Sequence, residues 1–73
     1  MMNGDYLENI IKVKRAEMNL TQEQLAELIG VTRKTINTIE NGKFIPSTIL
    51  AIKLARVFEV PVEDLFILKQ FTP

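Results

Sequence analysis

The sequence predicts an all-α fold of five helices, and three observations support this prediction. Apolar residues recur at helical spacing in several segments, and the strict alternation typical of strands is absent. Thr21 and Thr32 stand at expected helix N-caps, because each directly precedes a helix-like segment. Gly30 and Gly42 follow these segments and supply the left-handed conformation that commonly ends a helix.

The composition is typical of one small globular domain. The chain has 73 residues, of which 47% are hydrophobic, and we predict a single domain over residues 1–73. It contains no His and no Cys, so the commonest metal ligands and general bases are missing. We therefore predict no enzyme activity, no metal and no cofactor. The longest apolar runs are four residues long, too short to span a membrane, and we expect a cytoplasmic protein without a small-molecule effector.

A first helix is predicted over residues 6–18. Its apolar stripe consists of Leu7, Ile11 and Met18. Lys14 falls on the same stripe, so two arrangements stay open. Either Lys14 extends its aliphatic stem over the core, or the helix is rotated so that Ile10 and Val13 share the burial.

A helix-turn-helix motif is predicted over residues 21–42. Thr21 and Gln24 have the spacing of a capping box, which satisfies backbone donors at the start of a helix. The apolar stripe of this first motif helix consists of Leu25, Ala26, Leu28 and Ile29. After a turn at Gly30, a second helix is predicted over residues 32–41. Two capped helices joined by so short a link are typical of a helix-turn-helix.

The outer face of the second motif helix carries no acidic residue. Ile36 and Ile39 share one side of this helix, which predicts that this side faces the core. The opposite side has a polar stripe with two flanking residues: Lys34, Asn37, Thr38 and Asn41, with Arg33 and Thr35. Their donor and amphoteric groups suit the edges of bases and phosphate oxygens.

The motif resembles the helix-turn-helix of the Cro and phage-repressor (XRE) family. The family's opening Gln, close-contact Ala, turn Gly and core aliphatics correspond to Gln22, Ala26, Gly30, Ile36 and Ile39. The similarity covers roughly residues 9–67. It implies a five-helix, lambda-repressor-like fold and a sequence-specific transcriptional regulator of double-stranded DNA. For Gln22 it implies a phosphate contact and a bracing role for the recognition side chains.

In this interpretation the second motif helix enters the major groove of DNA. Arg33 and Lys34 each have the chemistry to donate to guanine, and which of the two reads a base stays open. Asn37 is suited to adenine, and the methyl group of Thr38 to thymine. The predicted DNA-binding residues are Gln22, Arg33, Lys34, Thr35, Asn37, Thr38, Asn41 and Lys43, of which the last two are placed for phosphate.

The charge balance leaves a rival interpretation open. The formal net charge is +0, from nine Lys and Arg against nine Asp and Glu, whereas many nucleic-acid binders are basic. Because Arg33, Lys34 and Lys43 bracket the second motif helix, we expect a basic face and an acidic back. The alternative is a protein-interaction module of the same fold, such as an antitoxin or accessory subunit. Arg15 is interpreted either as a phosphate contact or, preferably, as an ion-pair partner of a carboxylate such as Glu40.

The C-terminal part predicts two more helices and a dimer. Ser47 or Thr48 caps a fourth helix, and Pro61 opens a short fifth. The segment 65–71 is more apolar than an exposed helix end requires, so it either folds back onto the domain or forms an interface. We favour self-association as a homodimer. The predicted interface residues are Leu65, Leu68, Phe71, Ile49 and Ile52.

Overall fold

A computed structural model of the protein describes residues 5–70. In chain order the elements are β1 (Asp5–Asn9), α1 (Ile11–Glu17), α2 (Gln22–Ile29), α3 (Arg33–Glu40), α4 (Thr48–Phe58), α5 (Val62–Leu65) and β2 (Phe66–Gln70). The two strands form an antiparallel sheet that joins the first and last described segments. The five predicted helices are present, but the all-α prediction is wrong because of this sheet. No helix within residues 5–70 is long and apolar enough to cross a lipid bilayer.

The predicted first helix begins too early, because residues 6–9 belong to β1 and Ile10 is the N-cap of α1. In this strand Leu7 lies opposite Leu68 and Asn9 opposite Phe66. The Ile10 N–H continues the pairing by donating to the Leu65 carbonyl at 3.1 Å. The pairing satisfies the backbone groups on the facing edges of the two strands while Leu7 packs against the core. A partner some sixty residues away in sequence therefore overrides the local helical pattern.

The shortened α1 resolves the question of Lys14. Ile11 is the buried residue of this helix, and Val13 is exposed, so the helix is not rotated to bury Val13. Met18, predicted on the apolar stripe, follows the helix and is exposed as well. Lys14 is half-buried, and its Nζ lies 3.5 Å from the Glu17 carboxylate. The helix thus contributes one core side chain rather than a continuous stripe.

The predicted helix ends of the motif are confirmed. The Gln24 N–H donates to Thr21 Oγ1 at 3.0 Å, and the Thr21 N–H donates to Gln24 Oε1 at 2.9 Å, which completes the capping box. Gly30 has φ +77°, the left-handed conformation expected at the turn. Thr32 caps α3 by accepting from the Thr35 N–H at 3.2 Å. Of the two candidates for α4, Ser47 is the cap, accepting from the Leu50 N–H at 3.2 Å.

The core draws on every helix and on β2. Its buried side chains are Ile11, Leu25, Ala26, Ile29, Ile36, Ile39, Leu54, Ala55, Phe58, Leu65 and Phe66. The predicted stripe of α2 is correct except for Leu28, which is exposed. No polar or charged residue among residues 5–70 is buried as a whole, although the side chain of Glu40 nearly is, so apolar burial is the main stabilising contribution to this small domain.

The structure corrects the predicted dimer surface at one position. Leu65 is 0% exposed, because the residue at the junction of α5 and β2 joins the core cluster. A buried side chain cannot contact a second copy, so the prediction for Leu65 is wrong. Ile49, Ile52 and Leu68 are exposed. Phe71 lies outside the described residues.

Candidate nucleic-acid interface

Two buried isoleucines set the orientation of α3. Ile36 and Ile39 are core residues, which fixes the opposite side of the helix toward solvent. The polar residues predicted for that side are exposed or half-buried: Arg33, Lys34, Asn37 and Asn41 are exposed, and Thr35 and Thr38 half-buried. The predicted recognition stripe is therefore accessible along the whole length of the helix.

The one carboxylate of α3 is turned away from that stripe. The Glu40 side chain is 4% exposed, and Arg15 Nε donates to its Oε2 at 2.8 Å. Arg15 Nη2 donates to the other carboxylate oxygen at 3.3 Å, and Nη1 donates to the Leu20 carbonyl at 2.9 Å. The preferred interpretation of Arg15 as an ion-pair partner of Glu40 is confirmed. Because Glu40 is neutralised inside the domain, the exposed face of α3 carries only cationic and neutral groups.

The pair also changes the acidity of Arg15. The hydrogen bond to Glu40 raises the pKa of the Arg15 guanidinium above its ordinary value, burial opposes this, and the charge of Glu40 adds to the increase. Arg15 therefore stays charged at any pH at which the protein would be studied.

Gln22 links the first turn of α2 to the recognition stripe. Its Nε2 lies 3.2 Å from Asn37 Oδ1 and 3.1 Å from Glu40 Oε1, and donates to both oxygens. Its Oε1 accepts from Arg33 Nη1 at 3.1 Å. Gln22 thus contacts two of the predicted recognition side chains, while its bracing role in DNA binding and its phosphate contact stay predictions. Asn37 keeps its amide N–H groups and one lone pair of its carbonyl oxygen for another partner.

The two threonines of the stripe use their hydroxyl groups internally. Thr38 Oγ1 lies 2.9 Å from the Thr35 carbonyl and 3.1 Å from the Lys34 carbonyl, to which it donates. Thr35 Oγ1 lies 3.1 Å from Thr32 Oγ1, within the cap of α3. With these hydroxyl groups engaged within the domain, the side chains offer methyl groups and hydroxyl lone pairs to a further partner.

The loop after α3 adds a second group of residues beside the stripe. Gly42 ends the helix with φ +73°, and the Lys43 N–H donates to the Thr38 carbonyl at 3.0 Å. Phe44 follows and is 47% exposed. A depression of about 270 Å³ forms here, lined by Lys34, Thr35, Thr38, Lys43 and Phe44.

Asn41 has carboxylates beside it, unlike the residues that line the depression at Lys34. It lines a separate cleft of about 230 Å³ with Glu8 of β1 and with Glu40. A carboxylate so close weakens the electrostatic attraction of a phosphate. The predicted set therefore divides into three: a cluster around Gln22 with Arg33 and Asn37, the depression beside Lys34, and the cleft that Asn41 lines.

Two residues that position or extend this face were not predicted. Asn9 Nδ2 donates to the Ile39 carbonyl at 2.9 Å, and its Oδ1 accepts from the Ile11 N–H at 3.1 Å, so it ties the start of α1 to α3. The signal for it was an Asn at a cap position directly before two isoleucines. Phe44 was signalled only as an aromatic residue in a loop between charged and apolar neighbours.

Comparison with known proteins assigns the family. The model of a helix-turn-helix family matches residues 11–65. The chain belongs to this helix-turn-helix family. The match spans α1 to α5, and the predicted resemblance is confirmed by it.

Relatives and solved structures agree with the helix-turn-helix assignment. An uncharacterized HTH-type transcriptional regulator of Methanocaldococcus jannaschii is 52% identical over 61 residues, covering 84% of this chain and 92% of the relative. The crystal structure of a Bacteroides fragilis protein matches with a TM-score of 0.73 at 33% identity. The match covers 82% of this chain and 97% of the Bacteroides chain. The restriction-modification controller protein C.AhdI of Aeromonas hydrophila has a TM-score of 0.68 at 28% identity, covering 74% of this chain and 82% of its own.

Proposed function

We propose that the protein is a sequence-specific transcriptional regulator that binds double-stranded DNA with α3 in the major groove. The observation that carries this proposal is the acid-free exposed face of α3, with Glu40 buried against Arg15. A carboxylate on that face would repel phosphates at close range. The naming of the Methanocaldococcus relative as an HTH-type transcriptional regulator supports the same function.

The contacts of Gln22 suggest how bases are read. Arg33 and Asn37 each share a hydrogen bond with Gln22, so both side chains are held before DNA arrives and lose less conformational freedom on binding. Arg33 then donates to guanine, and Asn37 pairs with adenine. Lys34 and Lys43 both line the depression. There Lys34 serves a base edge and Lys43 a phosphate.

We further propose that the active form is a homodimer. One helix-turn-helix contacts few base pairs, and a two-fold dimer presents two recognition helices to half-sites about 34–36 Å apart. Exposed apolar side chains support a second contact surface. Leu68 is 69% exposed and lies opposite Leu7, on the same side of the sheet as the buried Phe66, so the apolar side of the sheet continues from the core into solvent. Ile49 and Ile52 offer a second exposed apolar site on α4.

The formal net charge of +0 is the observation that favours one rival function. A protein-interaction module of the same fold, such as an antitoxin or accessory subunit, needs no long-range attraction to DNA. A controller that regulates its own operon combines both functions, and the likeness to C.AhdI gives that variant some support. DNA binding measured on the isolated chain separates the first rival from the proposal.

The experiment is selection of bound duplexes from a random library by the full chain, followed by fluorescence anisotropy at low and moderate salt. We expect one enriched half-site motif, with an affinity that falls as salt rises. Lys34→Ala should weaken binding to the enriched duplex about tenfold or more. Lys53→Ala is the matched control, because Lys53 Nζ contacts the Ile29 carbonyl at the far end of α2 from Gln22. Failure to enrich any sequence, or equal losses in the two variants, would refute the proposed DNA-reading face.

A further inference from the structure

The depression beside α3 has an apolar floor. Phe44 contributes an aromatic ring that is about half exposed. Thr35 and Thr38 line the same space, and their hydroxyl groups are engaged with Thr32 and with backbone carbonyls. The space is therefore lined by an aromatic ring and by two threonines whose hydroxyl groups already have partners, which favours an apolar group over a hydrogen-bond acceptor.

The rim of the depression is cationic. Lys34 and Lys43 line it together with the apolar residues, and no carboxylate among residues 5–70 takes part in the lining. A volume of about 270 Å³ lies below the usual range of small-molecule sites, which is about 300–1,000 Å³. Apolar groups beside two cations suit a ligand that carries an apolar group close to negative charge.

We propose that this depression receives the 5-methyl group of a thymine in the major groove, with Phe44 and Thr38 against the methyl group. Thymine is the DNA base with an apolar group at its major-groove edge, a neighbouring base edge offers acceptors to Lys34, and a neighbouring phosphate supplies the negative charge that Lys43 attracts. Phe44 is then a specificity-determining residue. This inference rests on the proposed function, because it needs α3 in the major groove.

Replacement of thymine by uracil tests the inference, because it removes the methyl group alone. The wild-type full chain is titrated by fluorescence anisotropy with its selected duplex, in which each thymine is replaced by uracil in turn. We expect one position per half-site at which uracil weakens binding about threefold to tenfold. Phe44→Ala should weaken binding to the thymine duplex by a similar factor and should be nearly indifferent to uracil there. Phe44→Leu keeps an apolar side chain and should retain part of the preference.

Ile45→Ala is the matched control. Ile45 is the next residue and is also exposed, but it does not line the depression, so this variant should keep the full uracil effect. If Phe44→Ala fails to fold, the uracil series on the wild-type chain and on Phe44→Leu still tests whether a thymine methyl group is bound. A half-site without thymine, no uracil effect at any position, or a full uracil effect that persists in Phe44→Ala would overturn the inference and leave the proposed function standing. Failure of the wild-type chain to select any duplex would instead count against the proposed function.

Discussion

Arg15 and Glu40 form an ion pair of two hydrogen bonds that joins α1 to the last residue of α3. The side chains are 16% and 4% exposed, so the pair is shielded from solvent. Gln22 donates to the same carboxylate and to Asn37, and it accepts from Arg33. A buried pair is thus connected through one side chain to two residues of the proposed DNA-reading face. The carboxylate of Glu40 therefore takes part both in the packing of the domain and in the hydrogen bonds that hold the proposed DNA-reading face.

The first prediction concerns the stability of this pair. Glu40→Ala should lower the free energy of unfolding by about 2–4 kcal/mol, because it leaves the guanidinium of Arg15 shielded without its partner. Urea denaturation followed by circular dichroism measures the change. Glu17→Ala is the control, since its contact with Lys14 at 3.5 Å is at the surface and should contribute less than about 1 kcal/mol. Equal midpoints for Glu40→Ala and wild type would contradict the structural role of the pair.

A second prediction separates base reading from phosphate attraction. Asn37→Ala should weaken binding to the selected duplex by roughly 1–3 kcal/mol and relax the preference at one base pair per half-site. Lys43→Ala should weaken binding to all duplexes alike and reduce the salt slope by about 1. Anisotropy titrations at several salt concentrations, on selected and scrambled duplexes, measure both effects. If Asn37→Ala loses affinity equally for both duplexes, then Asn37 does not read a base.

The third prediction concerns the turn between α2 and α3. Gly30 has φ +77°, and no atom lies within 4 Å of the position that a Cβ would take. Gly30→Val should therefore destabilise the fold by backbone strain rather than by a clash, by about 1–3 kcal/mol. Gly30→Asn is the control, because Asn tolerates the left-handed conformation, and it should melt closer to wild type. A melting temperature unchanged by valine would remove the argument for strain.

A fourth prediction identifies the dimer surface. Ile49→Asp and Leu68→Asp, made separately, place a charge on α4 or on β2, where burial in an interface would be costly. We expect one of them to sediment as a folded monomer and to lose affinity for a two-half-site duplex. Leu28→Asp alters a third exposed aliphatic position, on α2, and serves as the control. Wild-type protein that is monomeric at micromolar concentration with full affinity would refute the dimer.

Local interactions explain what could be predicted about the helix-turn-helix. Thr21 with Gln24, and Thr32 with Thr35, are three residues apart and satisfy each helix start without help from the rest of the chain. Gly30 adopts the left-handed conformation because it has no Cβ. The exposed polar stripe of α3 follows from the burial of two isoleucines three residues apart. Such features depend on neighbours in sequence, so the sequence by itself determined them.

Contacts between distant segments decided the strand pairing, the burial of the last apolar run and the position of Phe44. Residues 5–9 became a strand because they pair with residues 66–70, and a strand this short has no stability without a partner. Leu65 is in the core and Leu68 is in solvent, although both belong to one apolar run. Phe44 and Lys34 line the same depression, although the rest of α3 and a turn separate them in the sequence. Which apolar side chains are buried and which polar groups meet depends on how the elements pack, and only the tertiary structure fixes that arrangement.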